Sequence, residues 1–155
     1  MTFGQLVAVS MTIAFGSGAG AMYLITDQDA SPRSSVALVS VKPFARCVGA
    51  VKTHCVVDGD TLWHSGVKVR IADIDTPEIG SPECAAEKAL GEKATRRLIE
   101  LVNAGPFELR AWQGRDEDKY GRKLRVLVRN GKSIGDVLVS EGLAHTWTGR
   151  KESWC

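Results

Sequence analysis

Three short runs concentrate carboxylates and guanidiniums in this 155-residue chain. The first is Val57-Asp58-Gly59-Asp60-Thr61, in which two carboxylates flank a glycine. Side chains converging from such a kink offer oxygen ligands to a hard cation, although for this run by itself a simple Asp-Gly turn is the favoured reading. The second, Arg70-Ile-Ala-Asp73-Ile-Asp75-Thr76-Pro77-Glu78, sets one arginine among three acids within nine residues. Ionised carboxylates at that density repel, so positive charge should sit among them, and a divalent ion with Arg70 nearby would supply it. Pro77 biases Thr76 toward an extended backbone, which can present its carbonyl as a further oxygen ligand. The third run is Asp116-Glu117-Asp118-Lys119-Tyr120-Gly121-Arg122-Lys123. From Arg110 to Lys132 there are eight basic residues and three acidic ones. Most of these cations read as a solvated face, whereas Arg122 sits beyond a Tyr-Gly turn that can aim it.

The elements that must position these runs are short strands with two helices. His54 to Val57 reads as a strand broken by Asp58-Gly59-Asp60. Thr61 to His64 and Val67 to Ala72 form a hairpin around Ser65-Gly66, with Val67, Val69 and Ile71 on one face and Lys68 and Arg70 on the other. Asp73 to Ser81 is a loop. Leu90, Ala94, Leu98, Leu101 and Val102 recur at helical spacing up to a stop at Asn103-Ala104-Gly105-Pro106. Phe107 to Trp112 and Leu124 to Arg129 are strands, the latter turning at Asn130-Gly131. Ser133 opens a short helix that Gly142 ends. This order predicts a five-stranded OB-type barrel carrying one longer inserted helix and a short second one.

Lys and Arg number 20 against 18 Asp and Glu, a net charge of +2 that excludes a polybasic tail. Residues 1–26 contain no charged side chain, and Gln5 to Ile25 is long enough as a helix, about 31 Å, to match a bilayer core. Residues 1–26 therefore read as a signal-anchor or as a signal peptide with a small-residue Ala19-Gly20-Ala21 cleavage site. Either reading predicts export, with membrane contact through residues 5–25 if the segment is retained. Residues 27–46 read as a linker that can end in a strand, and 47–155 as the folded domain. Its four cysteines, Cys47, Cys55, Cys84 and Cys155, suit an oxidising compartment. Three pairings are open, and Cys47–Cys55 with Cys84–Cys155 is the one expected, because the second bridge clamps the chain end. A zinc site is the rival, although no CxxC spacing is present.

Together, Asp58-Gly-Asp60-Thr, Arg70 followed by Asp75-Thr-Pro-Glu78, and Asp118-Lys-Tyr-Gly-Arg122, in that order, resemble the staphylococcal nuclease family. Leu138-Val-Ser-Glu-Gly-Leu-Ala144 resembles its second helix and exit turn, so the likeness runs from about His54 to Thr146. The resemblance implies an OB barrel that hydrolyses DNA and RNA with little sequence preference, leaving 3'-phosphates. It implies Asp60 and Asp75 as ligands of a catalytic Ca2+, with the Thr76 carbonyl as a third oxygen and Asp58 in the outer shell. Other divalent ions are also compatible with hard oxygen ligands. Glu78 then positions or deprotonates the attacking water, and Arg70 and Arg122 grip the scissile phosphate. Lys119 and Tyr120 contact a neighbouring phosphate and sugar.

The chain departs from the family after Ala144. His145, Thr146, Trp147 and Thr148 stand where the best-known member has an aromatic pair and a long helix. Trp147 is thus a candidate stacking platform, with core packing its alternative, and a Cys84–Cys155 clamp is a candidate replacement for the helix. None of the three histidines is assigned a catalytic role. The expected protein is a monomeric metal-dependent nuclease. A non-catalytic OB module that binds nucleic acid or protein is the main alternative, and a phosphodiesterase for small nucleotides is a third reading, since the modest net charge attracts polymers weakly.

Overall fold

The computed structural model describes residues 43–50 and 52–155. The signal-anchor or signal-peptide segment, and most of the linker, lie outside the described residues. Among the described residues, no helix is long and apolar enough to cross a membrane.

Residues 43–46, placed in the linker by the sequence, contact the folded body. Phe44 is buried in the core, and its backbone N–H donates to Asn103 Oδ1 at 2.8 Å. Strand β1 (Ala45–Arg46) then pairs in parallel with β2 (His54–Asp58). The Cys47–Cys55 bridge closes the segment between them.

Asp58, Gly59 and Asp60 bend the chain from β2 into β3 (Thr61–His64), with a register irregularity between Val56 and Asp58. Gly59 is required at this bend, because a Cβ there would lie 2.8 Å from both Ala94 Cβ and Thr76 Oγ1. β3 returns as β4 (Val67–Ile71) through Ser65-Gly66, both at positive φ (49° and 79°), the twist-matched hairpin turn. Val69 and Ile71 are buried as expected, while Val67, beside the turn, is 45% exposed.

The expected loop after β4 contains a strand of two residues, β5 (Ile74–Asp75). The inserted helix α1 (Ala85–Asn103) is capped by Cys84, whose Sγ accepts from the Glu87 N–H. It buries Ala94, Leu98 and Val102 on one face, as the spacing predicts. β6 (Glu108–Ala111) follows and pairs antiparallel with β7 (Lys123–Arg129). β7 also pairs in parallel with β4, placing Arg70 opposite Leu124. It then turns at Asn130-Gly131 into β8 (Lys132–Ser133).

Ser133 caps α2 (Ile134–Ser140). Gly142 at φ 69° ends it in a Schellman arrangement, with Leu143 N–H donating to Leu138 O and Gly142 N–H to Val139 O. Finally β9 (His145–Thr146) pairs with β5, setting Asp75 opposite His145.

The five-stranded OB-type barrel expected from the sequence is met in part, by a larger sheet that does not close. The strands form a seven-stranded mixed sheet in the order β1-β2-β3-β4-β7-β6, with β8 beside β7, and a separate two-stranded β5-β9 sheet. The edges β1 and β6 do not pair with each other, so the sheet stays open. Val56, Leu62, Ile71, Leu98, Leu127 and Leu138, each fully buried, join the sheet and the two helices in one core.

Candidate active site

The hairpin register sets the first half of the site. Thr61 pairs with Arg70, and the Asp60 carbonyl accepts from the Ile71 N–H at 2.8 Å, so the Asp60 side chain projects beside the Arg70 guanidinium. Arg70 Nη1 ion-pairs with Asp60 Oδ2, and Nη2 donates to Asp75 Oδ1 at 3.2 Å. Two acids fifteen residues apart therefore meet on one cation. Asp60 is further fixed by Thr76, whose N–H and Oγ1 donate to Oδ2 at 3.1 and 3.0 Å, and by Thr61 Oγ1, which donates to Oδ1 at 3.0 Å. Asp58 Oδ1 accepts from the Asp60 N–H at 3.3 Å. Arg70 thus places one positive charge between the two carboxylates.

Burial dominates the electrostatics. It pushes the Asp58 carboxyl up to about 7, with the negative charge of Asp60 adding to the effect. Burial and then Asp60 raise Asp75 too, against the opposing pull of Lys151 and Arg70.

The second half comes from the loop before β7. Asp118 Oδ1 accepts from the N–H groups of Tyr120 and Arg122 at 2.9 and 3.0 Å, and Gly121 takes a positive φ of 73°. Arg122 Nε donates to Asp118 Oδ2 at 2.6 Å. The parallel β4–β7 pairing carries Arg122 toward Arg70, and its Nη1 reaches Thr61 Oγ1 at 3.4 Å. Arg122, Thr61, Asp60, Arg70 and Asp75 thus form one polar chain. Arg70 and Arg122 share a cleft of about 440 Å³ with Arg115, Lys119 and Lys151. The single acid on that wall is Asp118. Tyr120 is 71% exposed, with Lys119 Nζ 5.0 Å from its ring centroid.

Trp147 lines the same cleft, and its N–H donates to Asp73 O at 2.8 Å. Glu78 is placed differently. Its half-exposed carboxylate ion-pairs with Lys151 and borders a second cleft of about 490 Å³. All four cysteines are in disulfides, Cys47–Cys55 and Cys84–Cys155, which removes the zinc reading.

Residues 68–153, just over half of the chain, match the family described as Staphylococcal nuclease homologue. The chain belongs to that family. Asp58 and Asp60 precede the matched span, and it is the β3–β4 register that brings them to it. Over 92 residues the chain is 41% identical to endonuclease YncB of Bacillus subtilis (strain 168), covering 57% of this chain and 43% of the relative. It is 42% identical over 92 residues to the SPbeta prophage-derived endonuclease YokF of the same strain, covering 57% and 31%. It is 31% identical over 122 residues to the micrococcal nuclease of Shigella flexneri, covering 70% and 63%. The chain spans less than two thirds of the length of each.

The donors fit a hard cation in their chemistry. Asp60 and Asp75 offer oxygen alone, and Asp75 Oδ2 is buried without a hydrogen-bond partner among the described residues. Among those residues no group of three or more His, Cys, Asp or Glu side chains gathers around one point. Two carboxylates are the complement of a site that leaves its other positions to water and phosphate oxygens.

Sequence reasoning missed Lys151, Arg115 and Trp112, all of which line the basic cleft. Arg115 and Trp112 lie in or beside the basic run and had that signal. Lys151 sits in the tail, where no motif points to it.

Proposed function

We propose that this chain is a divalent-cation-dependent nuclease that hydrolyses phosphodiester bonds of DNA or RNA with low sequence selectivity, using Ca2+ and leaving 3'-phosphates. The observation that carries this reading is the polar chain from Arg122 through Thr61 and Asp60 to Arg70 and Asp75 at the wall of a basic cleft. The OB barrel of the family corresponds in this reading to β2, β3, β4, β7 and β6. The endonuclease names of the relatives support the substrate class.

Asp60, Asp75 and the Thr76 carbonyl are the residues that hold the cation, with Asp58 behind them. When bound, it stabilises the negative charge that builds on the phosphate as water adds. The guanidiniums of Arg70 and Arg122 donate to the non-bridging oxygens, and their planar forks suit paired phosphate oxygens. Glu78 orients the attacking water and accepts its proton. The water oxygen bonds to phosphorus, and the bond to the 5'-oxygen breaks, that oxygen taking a proton from solvent water to leave as the 5'-hydroxyl. Stabilisation that grows toward the transition state raises turnover, which uniform binding does not. Lys119 and Tyr120 take a neighbouring phosphate and sugar, and Trp147 a base. Two disulfides fit an exported domain working in an oxidising compartment.

The test is digestion of long DNA, RNA and a dinucleotide by the full chain, in chelator and after add-back of Ca2+, Mg2+ or Mn2+. Cleavage of both polymers restored by Ca2+ is expected. Binding without cleavage in every metal supports the non-catalytic module instead, and cleavage of the dinucleotide alone supports the small-nucleotide phosphodiesterase.

A further inference from the structure

Lys151 stands on the wall between the two clefts. It lines the basic one with Arg70 and Arg122, and the other with Glu78 and Glu87. Its ammonium ion-pairs with Glu78 Oε1. Burial pulls the ammonium down, but Glu78, Asp75 and Asp60 outweigh that and hold it above its ordinary range. Lys151 therefore feels the carboxylates of the Arg70 clasp as well as its direct partner.

Both partners of this pair are tied to the start of α1. The Glu78 N–H donates to Glu87 Oε1 at 3.1 Å, and the Glu87 N–H donates to Cys84 Sγ at 3.4 Å. Cys84 is bridged to Cys155, four residues beyond Lys151. The tail is held at its other end by the Trp147 backbone N–H on Asp73 O, and its two ends are joined by a stack of His145 on Trp154, with centroids 3.8 Å apart and planes 6° apart. An exposed ion pair is ordinarily worth little, because two long side chains must be immobilised to make it. Here the backbones on both sides are already fixed, so less freedom is lost in forming the pair.

We infer that Lys151, held in place by the Cys84–Cys155 strap, is a positioning residue that holds the Glu78 carboxylate at the wall between the two clefts. The inference rests on the nuclease reading. It makes the tail a working part of the site, and it makes full turnover depend on the oxidised strap.

The test compares the full chain with Lys151→Met, Lys151→Arg, the pair Cys84→Ser/Cys155→Ser, and the three substitutions together. Turnover, KM, the salt dependence of substrate binding and Tm are measured for each. Lys151→Met is expected to lower kcat roughly tenfold, a fraction of the ~10²–10⁴ that a positioned base supplies, with KM nearly unchanged. Lys151→Arg should restore most of the loss. The cysteine pair should lower both Tm and kcat, and adding Lys151→Met to it should cost little more, since coupled residues are not additive. An unchanged kcat in Lys151→Met overturns the inference. So does a raised KM with a shallower salt dependence, which marks Lys151 as a phosphate contact instead. Additive losses overturn the strap's part in it. If the cysteine pair does not fold, Lys151→Met against Lys151→Arg still decides the positioning role. A wild-type chain that cleaves nothing defeats the nuclease reading and this inference with it, whereas an active wild type matched by Lys151→Met defeats the inference alone.

Discussion

Asp118 holds Arg122 at two points and the turn before it at a third: its Oδ2 accepts from Arg122 Nε at 2.6 Å, and its Oδ1 accepts from the N–H groups of Arg122 and Tyr120 at 3.0 and 2.9 Å. The guanidinium thus enters the cleft with its orientation already set, leaving its outer nitrogens for Thr61 and a phosphate. Arg122→Ala should lower kcat by ~10²–10³-fold, the cost of one lost electrostatic stabiliser. Asp118→Asn keeps the charge of Arg122 but removes its strongest acceptor, and should lower kcat by a smaller factor. Steady-state kinetics and Tm check both, and equal kcat for Asp118→Asn and wild type contradicts the orienting role.

Glu78 is on a backbone secured to Glu87, and its side chain is half exposed. Glu78→Gln keeps the shape and removes the base. Turnover should fall by ~10²–10⁴-fold. Tm should stay within a few degrees, because an exposed ion pair contributes little to stability. Full activity in the purified variant contradicts the assignment of Glu78 as base.

The two bridges close loops of very different length, with sequence separations of 8 for Cys47–Cys55 and 71 for Cys84–Cys155. Loop-closure entropy assigns about 2.5 kcal/mol to the short loop and about 4 kcal/mol to the long one. Cys84→Ser/Cys155→Ser should therefore lower Tm more than Cys47→Ser/Cys55→Ser. Thermal melts of the two variants decide the order, and a reversed order means that strain in the native loop outweighs chain entropy.

Turn chemistry and periodicity made much of the frame legible. Ser65-Gly66 and Asn130-Gly131 both take the paired positive φ that their hairpins need, and the apolar spacing of α1 marks the face it buries. The pairings of β1, at the end of the linker where a strand was expected, and the strands β5 and β9 themselves were not legible. Each has two residues, too few for an alternating pattern, and each exists only because a distant strand meets it. The open sheet edge escaped for the same reason, since closure depends on long-range pairing. In the site, the crowding of Asp73, Asp75 and Glu78 announced that a positive charge was needed. It did not say that one guanidinium would span Asp60 and Asp75, because that depends on hairpin register. Glu78 reads from the motif as a partner of the same cluster, yet its contact is Lys151, brought from the tail by a covalent bridge.

Several carboxylates titrate low for stated reasons. Lys123 and Arg125 hold Asp116 below its ordinary range, Arg46 does so for Glu92, and Arg97 for Glu141. Burial pushes Asp118 up, but Arg122 and two backbone N–H groups outweigh it and leave it low. A carboxylate depressed in the folded state adds stability that is complete above its unfolded pKa, near 4, and is lost as pH falls through the folded value. Tm should therefore fall below about pH 4, and only modestly, because most of these pairs are exposed. High salt should reduce the drop, since most of these pairs are exposed and screened. Melts across pH 2.5–6 at two ionic strengths measure this, and a flat acid limb means the pairs form equally in the unfolded chain.

Gly91 sets two ordinary effects against each other. Replacing a glycine in a helix interior by alanine normally stabilises the helix by about 1 kcal/mol. In α1, however, a Cβ on Gly91 would lie 2.6 Å from Pro77 O and 2.8 Å from Ile79 Cγ2, atoms of the loop that carries Glu78. Neither the Pro77 carbonyl nor the short Ile79 branch can move away without shifting that loop, and overpacking of this kind costs roughly 1–3 kcal/mol. The clash outweighs the propensity, so Gly91→Ala should lower Tm rather than raise it. It should also lower kcat, because the displaced backbone is the one that sets Glu78. If Gly91→Ala raises Tm and leaves kcat intact, the loop yields freely, and the close approach of α1 to Pro77 does not hold Glu78 in place.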